Sequence, residues 1–146
     1  MIHGIGIDHC SISRIQRILD RGGVDAAFFR KTFTEAERAE GAKRHDTAAF
    51  YAARFAVKEA VFKAITAPGP EQSERDTSTA DILSSGPDLR QIESLHMETG
   101  RPYVSMNEAI RPWLEAYGIT ALHLSVTTEE DTAAAFVIAE SSSERN

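Results

Sequence analysis

The chain has 146 residues, 42% hydrophobic and 26% charged, long enough to bury one core and short for two. Lys and Arg number 16 against 22 Asp and Glu, a formal charge of −6, and a general nucleic-acid coat is unexpected because that role rests on a basic footprint. Cys10 is the single cysteine and has no internal disulfide partner, the first residues lack the pattern of a secretion signal, and no apolar run approaches the roughly 18 to 20 residues of a membrane span, so a cytoplasmic protein free of the membrane is expected.

Residues 2–8, IHGIGID, set Ile2, Ile5 and Ile7 among glycines, which predicts a short buried strand with close backbone neighbours, ending at Asp8. Residues 11–21 follow a helical period. Ser11 caps, Ile12, Ile15 and Leu19 share one face, Arg14, Arg17 and Arg21 form a stripe on another, and Gly22-Gly23 stops the run. TEAE at residues 34–37 has the form of a capping box in which Glu37 reaches back to Thr34. The strongest helix signal spans residues 47–65, with seven alanines and neither Gly nor Pro. Its apolar residues occur on every side, as in a helix buried centrally, yet it carries Arg54, Lys58, Glu59 and Lys63.

Residues 66–89, rich in Pro, Gly, Ser, Asp and Glu, read as a connecting loop with a short ordered piece near Asp81-Ile82-Leu83. A hairpin follows, with strands at 92–97 and 102–106 joined through a turn in which Gly100 takes positive φ. Asn107 is expected to cap a helix to about Tyr117, with Pro112 early enough to be tolerated. Residues 121–128 and 131–140 predict an antiparallel strand pair joined at Glu129-Glu130-Asp131, and the end of the chain, 141–146, a polar tail. Strands and helices mix without a βαβ rhythm, so the expected class is α+β, as one domain over residues 1–140.

On the central helix Arg54 and Lys58 are four apart, as are Glu59 and Lys63, so three cations surround one carboxylate. Two readings stay open. In one, Glu59 and Lys63 form an ordinary intrahelical ion pair while Arg54 and Lys58 reach out to water. In the other, the basic groups hold phosphate oxygens and Glu59 with Asp8 holds a divalent metal, since Mg²⁺ in phosphoryl-transfer sites is usually held by one or two carboxylates with waters and substrate phosphates.

GIGIDHCSISRI at the N-terminus, TFTEAE at 32–37 and ARFAVKEAVFKA at 53–64 resemble the holo-[acyl-carrier-protein] synthases, the small 4′-phosphopantetheinyl transferases. The likeness continues through IES at 92–94, GRPYV at 100–104 and HLSV at 123–126, over nearly the whole chain. It implies a phosphopantetheinyl transferase-like fold, with an antiparallel sheet packed on a long central helix. The implied activity is transfer of the phosphopantetheine arm of coenzyme A to a serine of an apo acyl carrier protein, releasing adenosine 3′,5′-bisphosphate, in fatty-acid biosynthesis. By motif, Asp8 and Glu59 resemble Mg²⁺ ligands, and Lys63 the lysine at the leaving phosphate. Arg54 and Lys58 resemble residues near the nucleotide phosphates, and Arg101 stands at the basic position of a G-K-P turn. The resemblance also implies that the first helix, which bears Arg14, Arg17 and Arg21, docks the acidic carrier protein. Residues 1–70 hold 11 Lys or Arg and 8 Asp or Glu, +3, whereas residues 71–146 hold 5 and 14, −9, so the acidic average conceals a basic first half. A homotrimer with the coenzyme A site between subunits is also implied.

Two departures stand out. The family pattern reads S-x-S/T-H in the penultimate strand, its histidine in the coenzyme A site, whereas here the residues are Ser125-Val126-Thr127-Thr128 and Thr128 holds that position. His123, on the face of Ser125, is expected near the core or at a subunit contact instead of as a substitute. A glycine-rich turn after Lys63-Ala64 is replaced by residues containing Pro68 and Pro70. A homologue that binds coenzyme A or a carrier protein without turnover is therefore the alternative. Cys10 reads as a small buried hydrophobe.

Overall fold

Gly4 and Gly6 decide how the longest helix lies. A Cβ on Gly6 would stand 1.7 Å from the carbonyl oxygen of Ala60, and one on Gly4 2.1 Å from that of Ala64, so only glycine lets helix backbone rest on the strand. The computed structural model describes residues 1–67 and 86–142. Its elements are β1 (Ile2–Ser11), α1 (Ile12–Gly22), α2 (Ala27–Thr32), α3 (Glu35–Gly41), α4 (Thr47–Thr66), β2 (Glu93–His96), β3 (Pro102–Ser105), α5 (Arg111–Tyr117), β4 (Ile119–Glu129) and β5 (Thr132–Ser141).

Three strands form one antiparallel sheet in the order β1-β5-β4, and β2 pairs antiparallel with β3. The architecture is α+β, with α4 laid across β1 and β5. Small residues make that contact close: Ala56, Ala60 and Ala64 of α4 meet a β5 row of Ala133, Ala135, Val137 and Ala139, all buried. Strand alternation fixes what faces the helix. Asp8 pairs with Ala135, so it lies on the same face of the sheet as Gly4, Gly6 and Cys10. The opposite face leaves Ile5, Ile7 and Phe136 exposed. A second part of the core gathers Phe28, Phe29 and Phe33 against Phe50 and Tyr51 of α4.

The capping box forms as read: Thr34 Oγ1 accepts from Glu37 N, and Glu37 Oε1 accepts from Thr34 N. Ser11 caps α1, and Gly100 takes φ of +84° in the hairpin turn. Three boundaries differ from expectation. β1 runs on to Ser11, because His9 and Cys10 continue the ladder opposite Ala134 and Ala133, so Asp8 is internal to the strand. The helix expected from Asn107 starts only at Arg111: Asn107 Oδ1 caps a preceding turn by accepting from Ala109 N, and an earlier start would set the Pro112 ring against the carbonyl four residues back. β5 takes in Ser141, whose amide donates to Met1 O, so the expected tail begins later than residue 141. Asp81-Ile82-Leu83 and residues 143–146 lie outside the described residues.

Candidate active site

At the crossing of β1 and α4, Lys63 Nζ donates to Asp8 Oδ1 and to the carbonyl of Ile7, each at 3.0 Å. The lysine stays half exposed and Asp8 partly so, which leaves both open to a ligand. Glu59, one turn before Lys63 on α4, is partly buried. Burial pushes its carboxyl above the ordinary glutamate range, the negative charge of Asp8 adds to that, and Lys63 and Arg14 oppose it. Two carboxylates therefore face each other across β1 and α4 with a lysine beside them. The hydrogen bonds of Lys63 go to β1, not along the helix, so an intrahelical Glu59–Lys63 pair is not what these charges build.

Arg14, Arg17 and Arg21 are exposed on α1, while Ile15 beneath them is buried. The Arg14 guanidinium lies 5.7 Å from the centre of the Phe55 ring, and its charge is felt at Glu59, so the stripe begins beside the carboxylates. Asp131 fixes the start of α1. Its Oδ1 accepts from Ser13 N at 2.8 Å, and its Oδ2 from the hydroxyls of Ser11 and Ser13 at 2.9 and 2.7 Å. Those bonds hold the Asp131 carboxyl below the usual range.

Arg54 points elsewhere. It is 2% exposed, with its guanidinium carbon 4.9 Å from the centre of the Phe50 ring and Nη2 2.5 Å and 2.8 Å from Nδ1 and Nε2 of His96. Its buried Nε has no hydrogen-bond partner. It lines a cleft of about 170 Å³ with Arg44, Asp46, His96 and Thr128. A second cleft of about 410 Å³ shares Arg44, Phe50 and His96 and adds Lys43, Glu40 and Gly100.

A model of the 4′-phosphopantetheinyl transferase superfamily matches residues 4–137. The chain belongs to this family. The holo-[acyl-carrier-protein] synthase of Myxococcus xanthus is 40% identical over 141 residues, covering 96% of each chain. A crystal structure of the holo-[acyl-carrier-protein] synthase from Neisseria meningitidis superposes with a TM-score of 0.74 at 35% identity, covering 96% of this chain and 99% of that one. A holo-(acyl-carrier-protein) synthase from Bacillus anthracis in complex with CoA (3′,5′-ADP) gives 0.64 at 26% identity, over 97% and 99% of the two chains.

Among the residues that the family motif singles out, the structure brings together Asp8, Glu59 and Lys63, and sets Arg54 in the cleft with Thr128. Lys58 requires correction. It is fully buried, and its three N–H groups donate to Glu37 Oε1 at 2.6 Å, to Leu89 O at 3.0 Å and to Ile92 O, so none is left for a ligand phosphate. Its partner Glu37, also fully buried, accepts in addition from Ser94 N through Oε2. Lys58 thus ties α4 to α3 and to the start of β2. Neither Arg54 nor Lys58 reaches water, so the simple snorkelling reading fails too.

Arg101 is exposed in the β2–β3 turn, next to the Gly100 that lines the larger cleft. His123 stands on the outer sheet face, its Nε2 2.8 Å from Glu140 Oε2. Cys10 is buried, and burial pushes its thiol up. Three residues escape a reading of the sequence alone: His96, Arg44 and Asp131. His96 and Asp131 are placed by pairings between distant segments, whereas Arg44 pairs locally with Asp46. For Asp131 the two nearby hydroxyls, Ser11 and Ser13, lie at the other end of the chain.

Proposed function

We propose that this chain transfers the 4′-phosphopantetheine arm of coenzyme A to a serine of an apo acyl carrier protein, as a single domain that takes in Ser141 at the end of β5. The observation that carries the reading is the meeting of Asp8, Glu59 and Lys63 at the β1–α4 crossing. It occurs in a chain 40% identical to a holo-[acyl-carrier-protein] synthase. In the reaction the serine oxygen bonds to the phosphorus that carries pantetheine, the bond from that phosphorus to the bridging oxygen breaks, and adenosine 3′,5′-bisphosphate leaves. The hydroxyl proton passes to Glu59, directly or through water. Lys63 neutralises the departing phosphate.

Among the described residues no group of three His, Cys, Asp or Glu is arranged around one point. Two carboxylates that repel across a gap are nonetheless a donor set suited to Mg²⁺, which keeps waters and substrate oxygens as its other ligands. Asp8 and Glu59 would hold it, and bound there it supplies charge neutralisation at the pyrophosphate.

The exposed arginines of α1 suit an acidic carrier protein. The apolar outer face of Ile5, Ile7 and Phe136 suits contact between copies of the chain, in a homotrimer. No helix among the described residues is long and apolar enough to cross a membrane, and the free Cys10 fits a reducing cytoplasm, where the reaction would serve fatty-acid biosynthesis.

The test is intact-mass measurement of an apo acyl carrier protein after incubation with this chain, coenzyme A and Mg²⁺. A gain of one phosphopantetheine is expected, lost with Glu59→Gln or on chelation of the metal. No gain across a panel of carrier proteins would refute transfer; coenzyme A binding without it would identify a binding homologue instead.

A further inference from the structure

Asp131 reaches the first turn of α1 from the opposite end of the chain. Its backbone carbonyl accepts from Ile12 N at 2.8 Å, its Oδ1 from Ser13 N at 2.8 Å, and its Oδ2 from the hydroxyls of Ser11 and Ser13 at 2.9 and 2.7 Å. One residue of the β4–β5 turn thus takes bonds from three consecutive residues. Because the Ser11 hydroxyl gives its proton to Asp131, its oxygen is left to accept from Arg14 N, the bond that caps α1. A serine caps a helix end by itself, so the carboxylate adds something other than capping: a tie between α1 and the sheet. β1 passes into α1 at Ser11 with no residue between the two elements, and the backbone angles there together with this tie aim the helix axis. From Ser13 to Arg21 the helix rises about 12 Å, and a tilt of about 10° at its start would carry Arg21 about 2 Å sideways. Arg14, at the near end, is the arginine whose charge reaches Glu59, and the Arg17 charge reaches Asp131 itself. The stripe and the site carboxylates are therefore set relative to one another at this corner.

We propose that Asp131 is a positioning residue for the carrier protein: by tying α1 to the β4–β5 turn it sets where the arginine stripe holds a docked carrier, and so where the carrier serine meets Asp8, Glu59 and Lys63. Asp131 touches no reacting atom and acts through α1. The inference rests on the transferase reading, with α1 as the docking helix. Charge alone argues for the opposite sign. An exposed carboxylate near Arg17 weakens the attraction of the stripe for an acidic partner, so its removal would tighten docking if orientation did not matter.

Two assays on the full chain separate these signs: steady-state transfer, and direct titration of fluorescently labelled apo acyl carrier protein. Asp131→Ala is expected to raise both the KM and the Kd for carrier protein about three- to tenfold, with the KM for coenzyme A and kcat at saturating carrier unchanged. Asp131→Asn keeps an oxygen to accept from Ser13 N but carries no charge, and is expected to recover most of the loss. Unchanged or tighter carrier binding in Asp131→Ala would overturn the assignment, as would an Asp131→Asn variant no better than the alanine. Equal losses toward carrier and coenzyme A together with a lowered melting temperature would also overturn it, since a merely structural cap behaves that way. A wild type that binds carrier yet transfers nothing would overturn the transferase reading, and the titration alone would then decide the role of Asp131. One that binds no carrier protein would overturn both.

Discussion

Replacing Gly6 by Ala tests whether the site depends on backbone contact between β1 and α4. On unfolded-chain entropy alone the change should stabilise, by about 0.4 to 1 kcal/mol, where the native conformation tolerates a side chain. Here the new methyl would lie 1.7 Å from Ala60 O, 2.7 Å from Ala60 C and 2.9 Å from Ala64 N, all of them backbone atoms that no rotamer change can move aside. Restoring a C···O contact of about 3.3 Å requires the strand and helix to part by about 1.6 Å. That displacement would stretch the 3.0 Å bonds from Lys63 to Ile7 O and Asp8 Oδ1 past hydrogen-bond range and open the alanine packing on both sides. Overpacking of this kind costs about 1 to 3 kcal/mol, and misplacement by about 1 Å can cost a hundredfold in rate. Thermal melting together with the initial rate of phosphopantetheine transfer gives the answer. A melting temperature equal to or above that of the wild type, with an unchanged rate, would refute the argument that glycine positions the site.

Lys58→Met should remove about 3 to 5 kcal/mol, lowering the melting temperature by roughly 10 °C, because the Glu37 carboxyl would be left fully buried without its cation. In the folded variant the affinity for coenzyme A should match the wild type; a selective loss of coenzyme A affinity at unchanged stability would return Lys58 to the ligand site. Arg17→Ala with Arg21→Ala should raise the KM for carrier protein several-fold and flatten its salt dependence, with the KM for coenzyme A unchanged, since both side chains are exposed on α1. An unaltered KM for the carrier would remove the stripe from the docking surface.

Local chemistry made much of the frame legible. The glycines of residues 2–8 announced close backbone approach, the Thr34 capping box formed, and the alanine-rich run became α4 within a residue of its expected end. Strand alternation and the helical period each gave one side of the Asp8–Glu59 pair, but that the two meet depends on how α4 crosses β1, which sequence distance does not show. What stayed hidden was long-range. Glu37 gave only a capping signal, yet it is also the buried partner of Lys58, 21 residues away, and nothing in either segment encodes that pairing. His96 meets Arg54 across 42 residues because the β2–β3 hairpin packs beside α4, and an isolated histidine in a short strand carries no sign of its neighbour. The continuation of β1 past Asp8 was masked by polar His9 and Ser11, whose ladder partners belong to the far end of the chain.

The geometry of α4 also bears on how many chains one site needs. At 100° per residue Arg54 and Lys58 lie about 40° apart around the axis, as do Glu59 and Lys63, but Arg54 and Glu59 are separated by about 140° and Arg54 and Lys63 by about 180°. The carboxylate cluster faces β1 while Arg54 faces β2, so the two surfaces proposed to bind phosphate look in different directions on one chain. A ligand with a pyrophosphate at Asp8 and Glu59 and a monoester at Arg54 is then best served by two neighbouring copies, and the exposed row of Ile5, Ile7 and Phe136 offers the contact. Subunit mixing tests this directly. Glu59→Gln and Arg54→Ala should each be nearly inactive at low coenzyme A concentration, whereas unfolding and refolding them together in equal amounts should regenerate about a quarter of the wild-type sites by random assembly. Activity that stays at the level of the separate variants would show that each chain builds its site alone.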